Sequence, residues 1–225
     1  MNVAYDMTGE KYELLYKAHL NLSPRYLLEL AGMKEGDRVL DLCAGSNARA
    51  TKVALEMNAS YVAAVDLNPY VQHICGQIWT RNRVEAFCED VYGYLEYTHV
   101  PKDERFDIVI CQQGINYWFH HDALTKLFGV MKKGGSKFVF NTFNKKPPEG
   151  PCVKEYEIDG KKYIEVAWTV EDTINHVQIV DCDTPHYTQF KWVSPEYIKK
   201  TCENCHFDVL VMNEKNTDIY VCTKK

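Results

Sequence analysis

The sequence predicts an α/β protein with a Rossmann-like, doubly wound parallel sheet and an inserted antiparallel β segment. Three observations lead to this fold class. From Asp37 onward, short apolar runs alternate with amphipathic helical runs, which is typical of βαβ units. A strand-like run at 38–43 ends in small residues, and a helical run begins near Asn47. The alternation stops at a stiff Pro-rich linker, 145–151, beyond which β-type patterns dominate.

The elements of the alternating region follow in order from the N-terminus. The first 35 residues are predicted to be helical, with Ser23 as a cap, Pro24 in the first turn and Gly32 as the end of that helix. Strands are predicted at 38–43, 61–66, 84–88, 106–111 and 136–142, and helices at 47–57, 70–81, 91–97 and 122–132. Ligands of such sheets bind at the carboxyl ends of the strands.

The region after the linker is predicted to be rich in strands. Strands are expected at 154–158, 163–170, 176–181 and 186–193, with an Asp159-Gly160 hairpin turn. A helix capped by Ser194 and two closing strands, at 207–212 and 218–222, complete a seven-stranded main sheet. The predicted domains are helices that cover the ligand (1–36), the core (37–143 with 194–225) and a β-rich lid (152–193).

Composition restricts the class of protein further. The net charge is −5 and the lysine pairs are dispersed, which argues against nucleic acid as a partner. No apolar run approaches the roughly 20 residues of a membrane span, and no export signal begins the chain, so we expect a cytoplasmic protein without a membrane partner. Nine cysteines fit reduced thiols.

A Cys-x-x-Cys-His pattern at 202–206 raises the possibility of haem or metal binding. Covalent haem attachment would need an export signal, and the run ends a predicted helix that leads into a core strand. Zinc would need further ligands, and only Cys182 lies nearby in sequence. We therefore expect buried thiols and no metal.

The turn after the first strand carries a resemblance to a known family. Asp41-Leu42-Cys43-Ala44-Gly45-Ser46-Asn47 resembles the D-x-G-x-G-x-G motif of class I S-adenosylmethionine-dependent methyltransferases. Cys43 and Asn47 stand where the family has its first and last glycines, and Gly45 is kept. An ordinary α/β strand end without a ligand is the alternative interpretation of this turn.

Later segments match further family motifs in order, so that the resemblance covers residues 37–143. Asp66-Leu67-Asn68-Pro69 resembles the second motif, and Glu89-Asp90-Val91 resembles the segment that binds the adenine amino group. The run 106–113 resembles the fourth strand and the loop along the methionine arm, and 131–135 resembles the turn before the fifth strand.

The resemblance implies S-adenosylmethionine as cofactor, with S-adenosylhomocysteine as product. Asp66 would accept both ribose hydroxyls, Leu67 would pack on adenine, and the Tyr12 hydroxyl would reach the cofactor carboxylate. The full set of expected cofactor-binding residues is Tyr12, Asp41, Cys43, Ala44, Gly45, Asp66, Leu67, Asn68, Asp90, Val91, Gln112 and Gln113.

The C-terminal part, 184–223, loosely resembles amino-sugar and glycine-type N-methyltransferases. His186, Phe190, Trp192 and the Ser194-Pro195-Glu196 run follow that family's order, whereas His206-Phe207 replaces its usual Gly-Phe step. This resemblance implies N-methylation of a small molecule by in-line transfer.

The expected catalytic residues are His186 and Tyr117. A histidine can take the proton that an amine or hydroxyl acceptor must lose. The other candidates for this role are His120 and His121, after the fourth strand. A hydrogen-bonded strand histidine is the competing interpretation of His186. The expected acceptor-binding residues are Asn116, Trp118, His120, Tyr163, Trp168 and Phe190. Core packing is the competing interpretation of those that follow the fourth strand.

Several functions remain open at this point. The same pocket would serve a small-molecule O-methyltransferase, and the altered turn at Cys43 and Asn47 would also fit a cofactor-binding protein without catalysis. Methylation of nucleic acid is disfavoured because the Asn-Pro-Pro-Tyr type of motif is absent and the charge is acidic. The sequence leaves the choice between a monomer and a homodimer open.

Overall fold

The computed structural model of the protein describes residues 22–78, 83–158, 160–180, 185–214 and 216–225. Its main sheet has seven strands in the order β10-β11-β5-β4-β1-β2-β3. Those strands are β1 (Arg38–Leu42), β2 (Tyr61–Asp66), β3 (Val84–Cys88), β4 (Ile108–Gln112), β5 (Lys137–Phe143), β10 (Phe207–Glu214) and β11 (Thr217–Lys224). Strands β1 to β5 are parallel, and β11 runs antiparallel to both neighbours. The predicted fold class is confirmed.

Helices cover both faces of this sheet. They are α1 (Pro24–Leu30), α2 (Arg49–Glu56), α3 (Tyr70–Ile78), α4 (Val91–Tyr97), α5 (Ile115–Trp118), α6 (His121–Val130) and α7 (Pro195–Asn204). Ser23 and Ser194 cap α1 and α7, because each hydroxyl accepts a backbone N–H from the first turn. Within the described residues no helix is long and apolar enough to cross a membrane.

The central strands are buried on both faces because side chains alternate along a strand. Leu40 and Val109 face the core under α4, α6 and α7, whereas Val39 and Ile110 face the core under α1 and α2. This double burial explains the near-continuous apolar runs of the sequence. It also leaves the carboxyl ends of the parallel strands as the place where polar groups can collect.

Four antiparallel strands form a second sheet between β5 and α7, which we call the inserted sheet. It consists of β6 (Cys152–Ile158), β7 (Lys161–Val170), β8 (Thr173–Val180) and β9 (His186–Lys191), in that order. The register places Glu165, His176 and Phe190 on one face, which we call the inner face. On this face Phe190 packs against Tyr117 and Phe143 at the carboxyl ends of β4 and β5.

From residue 22 onward, the predicted element bounds agree with the structure to within a few residues, and the predicted helical segment before it lies outside the described residues. The short helix α5 was not predicted, because a single turn has too few residues to show a helical period. Cys202 and Cys205 of the Cys-x-x-Cys-His pattern are buried in the core, and the His206 ring packs edge-on against Phe128. Tyr12 and Asp159 lie outside the described residues.

Candidate active site

The turn after β1 reverses the chain sharply before α2. Cys43 (φ 56°), Gly45 (φ 72°) and Ala48 (φ 46°) all have left-handed backbone conformations. Residues with side chains adopt this conformation at a cost. The Ala44 N–H donates to the Val65 carbonyl at 3.1 Å, so the turn is tied to the end of β2. The backbone of the turn is therefore held close to the carboxyl end of the sheet.

Gly114 provides the space that the Cys43 side chain occupies. A Cβ atom at position 114 would lie 2.3 Å from Cys43 Cβ and 2.5 Å from its Sγ. Cys43 Sγ donates to the Gly114 carbonyl at 3.7 Å. The hydrogen bond with Cys111, followed by burial, raises the pKa of the Cys43 thiol well above its ordinary value. Cys43 is thus an uncharged packing residue in the turn.

Asp66 lies at the end of β2 and organises two loops. Its Oδ2 accepts the Gly45 N–H at 2.8 Å, and its Oδ1 accepts the Asn68 N–H at 2.7 Å. Each carboxylate oxygen has a second lone pair, so both can still accept a hydroxyl. Burial raises the pKa of Asp66. The next side chain, Leu67, is 43% exposed and offers an apolar surface beside the acid.

Asp41 lies beneath the turn and is almost fully buried. Its Oδ2 accepts both the backbone N–H of Thr51 at 2.9 Å and the Thr51 hydroxyl at 2.7 Å. Burial raises the pKa of Asp41 to about 7, against which the two Thr51 hydrogen bonds act. Asp41 therefore holds the first turn of α2 against β1.

We expect Asp41→Asn to change how stability depends on pH. The folded-state pKa of Asp41 is raised to about 7. Protonated Asp41 therefore stabilises the folded protein most below about pH 4, and this stabilisation is lost as pH rises towards about 7. Asparagine keeps an oxygen that can accept from Thr51 and carries no charge. The free energy of unfolding of the wild type should fall by at most about 4 kcal/mol between pH 4 and pH 8. Urea unfolding of both proteins at these two pH values measures it.

The control for this prediction is Asp103→Asn, which changes an exposed aspartate before β4. This variant should follow the wild type at both pH values. Equal pH dependence of the wild type and Asp41→Asn would contradict the assignment of a raised pKa to Asp41.

The third and fourth strand ends add further polar groups. Asp90 caps α4, with Oδ1 accepting the Gly93 N–H at 2.9 Å, and Val91 is the first residue of that helix. Gln112 donates from Nε2 to the Leu22 carbonyl at 3.0 Å. Gln113 has a left-handed backbone (φ 58°), and its N–H donates to Asn141 Oδ1 at 3.2 Å. The expected cofactor-binding residues in the described part of the chain thus lie at or just after the carboxyl ends of β1, β2, β3 and β4.

A small recess lies beside the turn after β1. It is lined by Asp41, Cys43, Ala44, Asn47, Arg49, Ala50 and Gln112. Nearby, the Ser46 hydroxyl is buried without a hydrogen-bond partner in the described part of the chain. Ser46, Asn47 and Arg49 were not among the binding residues expected from the sequence, although they lie within four residues of the kept Gly45.

Asn116 joins the inserted sheet to the core. Its Nδ2 donates to the Lys191 carbonyl at 2.9 Å, and its Oδ1 accepts the Thr142 hydroxyl at 2.7 Å. Both polar ends of the side chain therefore have protein partners. Asn116 thereby fixes the end of β9 against the end of β5, at the carboxyl end of the main sheet.

The neighbours of Asn116 differ in their surroundings. The Tyr117 ring is 47% exposed and lies 5.5 Å from the Phe190 ring, centroid to centroid. Trp118 packs on Phe138 in the core. His120 caps α6, with Nδ1 accepting the Ala123 N–H at 3.2 Å. Of Tyr117, Trp118 and His120, Tyr117 is the one that is both exposed and in contact with the inserted sheet.

The register of the inserted sheet separates its predicted pocket residues. Tyr163 and Phe190 lie on the inner face, whereas Trp168 and Tyr187 pack together on the outer face. Alternation along the strands accounts for this separation. His186 lies on the inner face, and its Nε2 is buried without a hydrogen-bond partner among the described residues.

Known proteins share this fold and part of this sequence. Residues 40–139 match the family model described as a methyltransferase domain. The chain resembles the structure of an S-adenosylmethionine-dependent methyltransferase from Clostridium acetobutylicum ATCC 824, at 16% identity and a TM-score of 0.70, over 96% of this chain and 98% of that chain. No curated protein sequence matches the chain.

Two similar structures carry more specific descriptions. One is the S-adenosylmethionine-bound amino pentose methyltransferase CalS10 from Micromonospora echinaspora (13% identity, TM-score 0.71, 98% of this chain and 99% of that chain). The other is the sugar N-methyltransferase KedS8 from Streptoalloteichus sp ATCC 53650 (13% identity, TM-score 0.67, 100% of this chain and 97% of that chain).

The domain match and the fold agree with each other. Residues 40–139 match a methyltransferase domain, and the chain has the fold of the S-adenosylmethionine-dependent methyltransferases named above. The fold expected from the sequence is thereby confirmed.

Proposed function

We propose that this protein transfers the methyl group of S-adenosylmethionine to a nitrogen atom of a small-molecule acceptor. One observation carries the proposal: the inserted sheet meets the carboxyl ends of β4 and β5 through Phe190, Tyr117 and Phe143. We place the acceptor cleft beside these rings, because Tyr117 is half exposed there and an aromatic lining suits a small acceptor. A nucleic acid would favour an open basic face, and the chain has a net charge of −5.

The choice of nitrogen rests on similar proteins. CalS10 is described as an amino pentose methyltransferase and KedS8 as a sugar N-methyltransferase. Both cover nearly the whole of this chain, including the inserted sheet, at low identity. These descriptions make amino sugars the first acceptor class to test.

Each residue of the site has a role in this proposal. The bound cofactor supplies an electrophilic methyl group on a sulfonium. Asp66 accepts the ribose hydroxyls, Leu67 packs on adenine, and Asp90 with the Val91 backbone binds the adenine amino group. Ala44, Gly45 and Asn68 contribute the backbone that lies against the cofactor, and Gln112 and Gln113 line the methionine arm.

The acceptor side contributes orientation and exclusion of water, which are the main requirements of a methyl transfer. Tyr117 and Phe190 form the aromatic wall of the cleft, and Asn116 fixes that wall by bridging β5 and β9. Phe190 belongs to the inner face of the inserted sheet and Tyr117 to α5 of the core, so the proposed cleft lies along the seam between the two sheets.

The test combines cofactor binding with turnover on matched acceptors. Calorimetry should detect binding of S-adenosylhomocysteine. The acceptor panel contains glucosamine, galactosamine, their nucleotide-linked forms and glycine, each paired with the compound that has a hydroxyl in place of the amine. We expect release of S-adenosylhomocysteine with an amine and not with its hydroxyl partner. Turnover of hydroxyls alone would indicate an O-methyltransferase, and binding without turnover would indicate a catalytically silent protein.

A further inference from the structure

The inner face of the inserted sheet carries a histidine and a glutamate in direct contact. His176 in β8 and Glu165 in β7 are joined by a hydrogen bond of 2.5 Å between Nε2 and Oε1. The two side chains are only 15% and 12% exposed. Ala167 pairs with His176 and Glu165 pairs with Gln178, so the histidine and the glutamate are diagonal neighbours across the strands.

This pair lies next to the aromatic wall of the cleft. The His176 ring meets the Phe190 ring edge-on, with centroids 6.4 Å apart. Phe190 in turn contacts Tyr117 at 5.5 Å and Phe143 at 6.2 Å, again between ring centroids. One aromatic side chain therefore separates His176 from the carboxyl ends of β4 and β5.

The contact with Glu165 determines which nitrogen of His176 can act as a base. A carboxylate can only accept, so the neutral imidazole carries its hydrogen on Nε2 and keeps a lone pair on Nδ1. Burial, followed by the adjacent Glu165 carboxylate, raises the pKa of Tyr156. Tyr156 therefore remains a neutral phenol that can donate towards Glu165.

We propose that His176, oriented by Glu165, binds the amino group of the acceptor and takes its proton. The inference rests on the proposed function and names the acceptor as a protonated amine. One N–H bond of the acceptor's ammonium breaks, the electron pair stays on nitrogen, and the proton moves to Nδ1 of His176. The pair then forms the N–C bond to the methyl carbon while the C–S bond breaks. The resulting imidazolium is stabilised by the Glu165 carboxylate.

His186, the histidine expected from the sequence, is less well placed for this role. It pairs with Gln178 on the inner face at the start of β9, four residues before Phe190. At about 3.4 Å per residue, this position is about 14 Å along the strand from Phe190. His176 is the nearer histidine, and it has a carboxylate partner.

The first arm of the test observes the tautomer of His176 without any acceptor. Long-range nitrogen–proton NMR spectra of ¹⁵N-histidine-labelled protein, recorded at alkaline pH, distinguish the two neutral tautomers. The His176 signal is assigned by its loss in His176→Gln. We expect hydrogen on Nε2 in the wild type, and hydrogen on Nδ1 would overturn the proposal.

The second arm measures turnover of the amine that the wild type methylates fastest in the panel above. His176→Gln should lower kcat by about 10²–10⁴-fold, the usual contribution of a general base. Glu165→Gln should lower kcat by a smaller factor, because glutamine still accepts from Nε2 but does not stabilise the imidazolium. Binding of S-adenosylhomocysteine should be unchanged in both variants.

Glu155→Gln is the matched control for Glu165→Gln. Glu155 is 57% exposed on the outer face of the same sheet, where it pairs with Lys162 at 3.0 Å. This control should keep wild-type kcat. A His176→Gln protein that binds S-adenosylhomocysteine normally and keeps kcat within threefold of wild type would overturn the His176 assignment alone. A wild-type protein that methylates no amine would contradict the proposed function, and with it the amine assignment.

Discussion

Gly114→Ala is expected to destabilise the folded protein by roughly 2–3 kcal/mol, and removal of the Cys43 side chain should restore most of that loss. The added Cβ would lie 2.3 Å from Cys43 Cβ, which is far inside van der Waals contact. The Gly114 backbone has φ −102°, which alanine readily adopts. The cost therefore arises from lack of space and not from backbone strain.

The measurement is urea unfolding of four proteins: wild type, Gly114→Ala, Cys43→Gly and the double variant. Glycine at position 43 removes both clashing atoms and relieves the left-handed backbone (φ 56°), which costs other residues roughly 1–2 kcal/mol. The double variant should be more stable than the sum of the single changes predicts, because the two residues are in contact.

Gly129→Ala serves as the control for this cycle. Gly129 lies inside α6, and a Cβ there meets no atom within 4 Å. Alanine should stabilise that helix by up to about 1 kcal/mol. Additive effects of Gly114→Ala and Cys43→Gly would show that the Cys43 side chain does not fill the space beside Gly114.

Asp66→Ala is expected to weaken binding of S-adenosylhomocysteine by roughly 1–3 kcal/mol, or about 5- to 150-fold. The variant removes the proposed acceptor of the ribose hydroxyls. It also leaves the N–H groups of Gly45 and Asn68 without the oxygens that they contact at 2.8 and 2.7 Å. The loop after β1 and the loop after β2 then lose their common anchor.

Calorimetry measures this loss, and thermal unfolding without ligand establishes that the variant is folded. Asp66→Asn should fall between the wild type and Asp66→Ala, because its amide nitrogen cannot accept from a backbone N–H. Asp103→Ala, at an exposed position before β4, should bind as the wild type does. A folded Asp66→Ala protein with wild-type affinity would remove Asp66 from the cofactor site.

Cys43, Asn47 and His206 stand at positions where the resembled family has glycine. Two of them, Cys43 and His206, adopt left-handed backbone conformations, with φ of 56° and 64°. The sequence identifies both as replacements for glycine. The compensating Gly114 is 71 residues away from Cys43 in the chain, so no local pattern could reveal it.

In the inserted sheet too, local features were predictable and long-range contacts were not. The sequence predicted the strands, and the order of residues in the resembled family pointed to His186 as the proton acceptor. It did not identify His176, because the contact with Glu165 depends on the β7–β8 register. Likewise, Trp168 and Phe190 were both expected to bind the acceptor, whereas the register places them on opposite faces.

The sequence by itself determined the alternation of strands and helices and the strand ends at which we propose the cofactor site. These features follow from local hydrophobic periods and from a topology that gathers the carboxyl ends of parallel strands at one edge. Only the tertiary structure decided that Gly114 accommodates Cys43, that Asn116 bridges β5 and β9, and that His176 meets Glu165. Such contacts join residues far apart in the chain, and they depend on register and packing that no local pattern encodes.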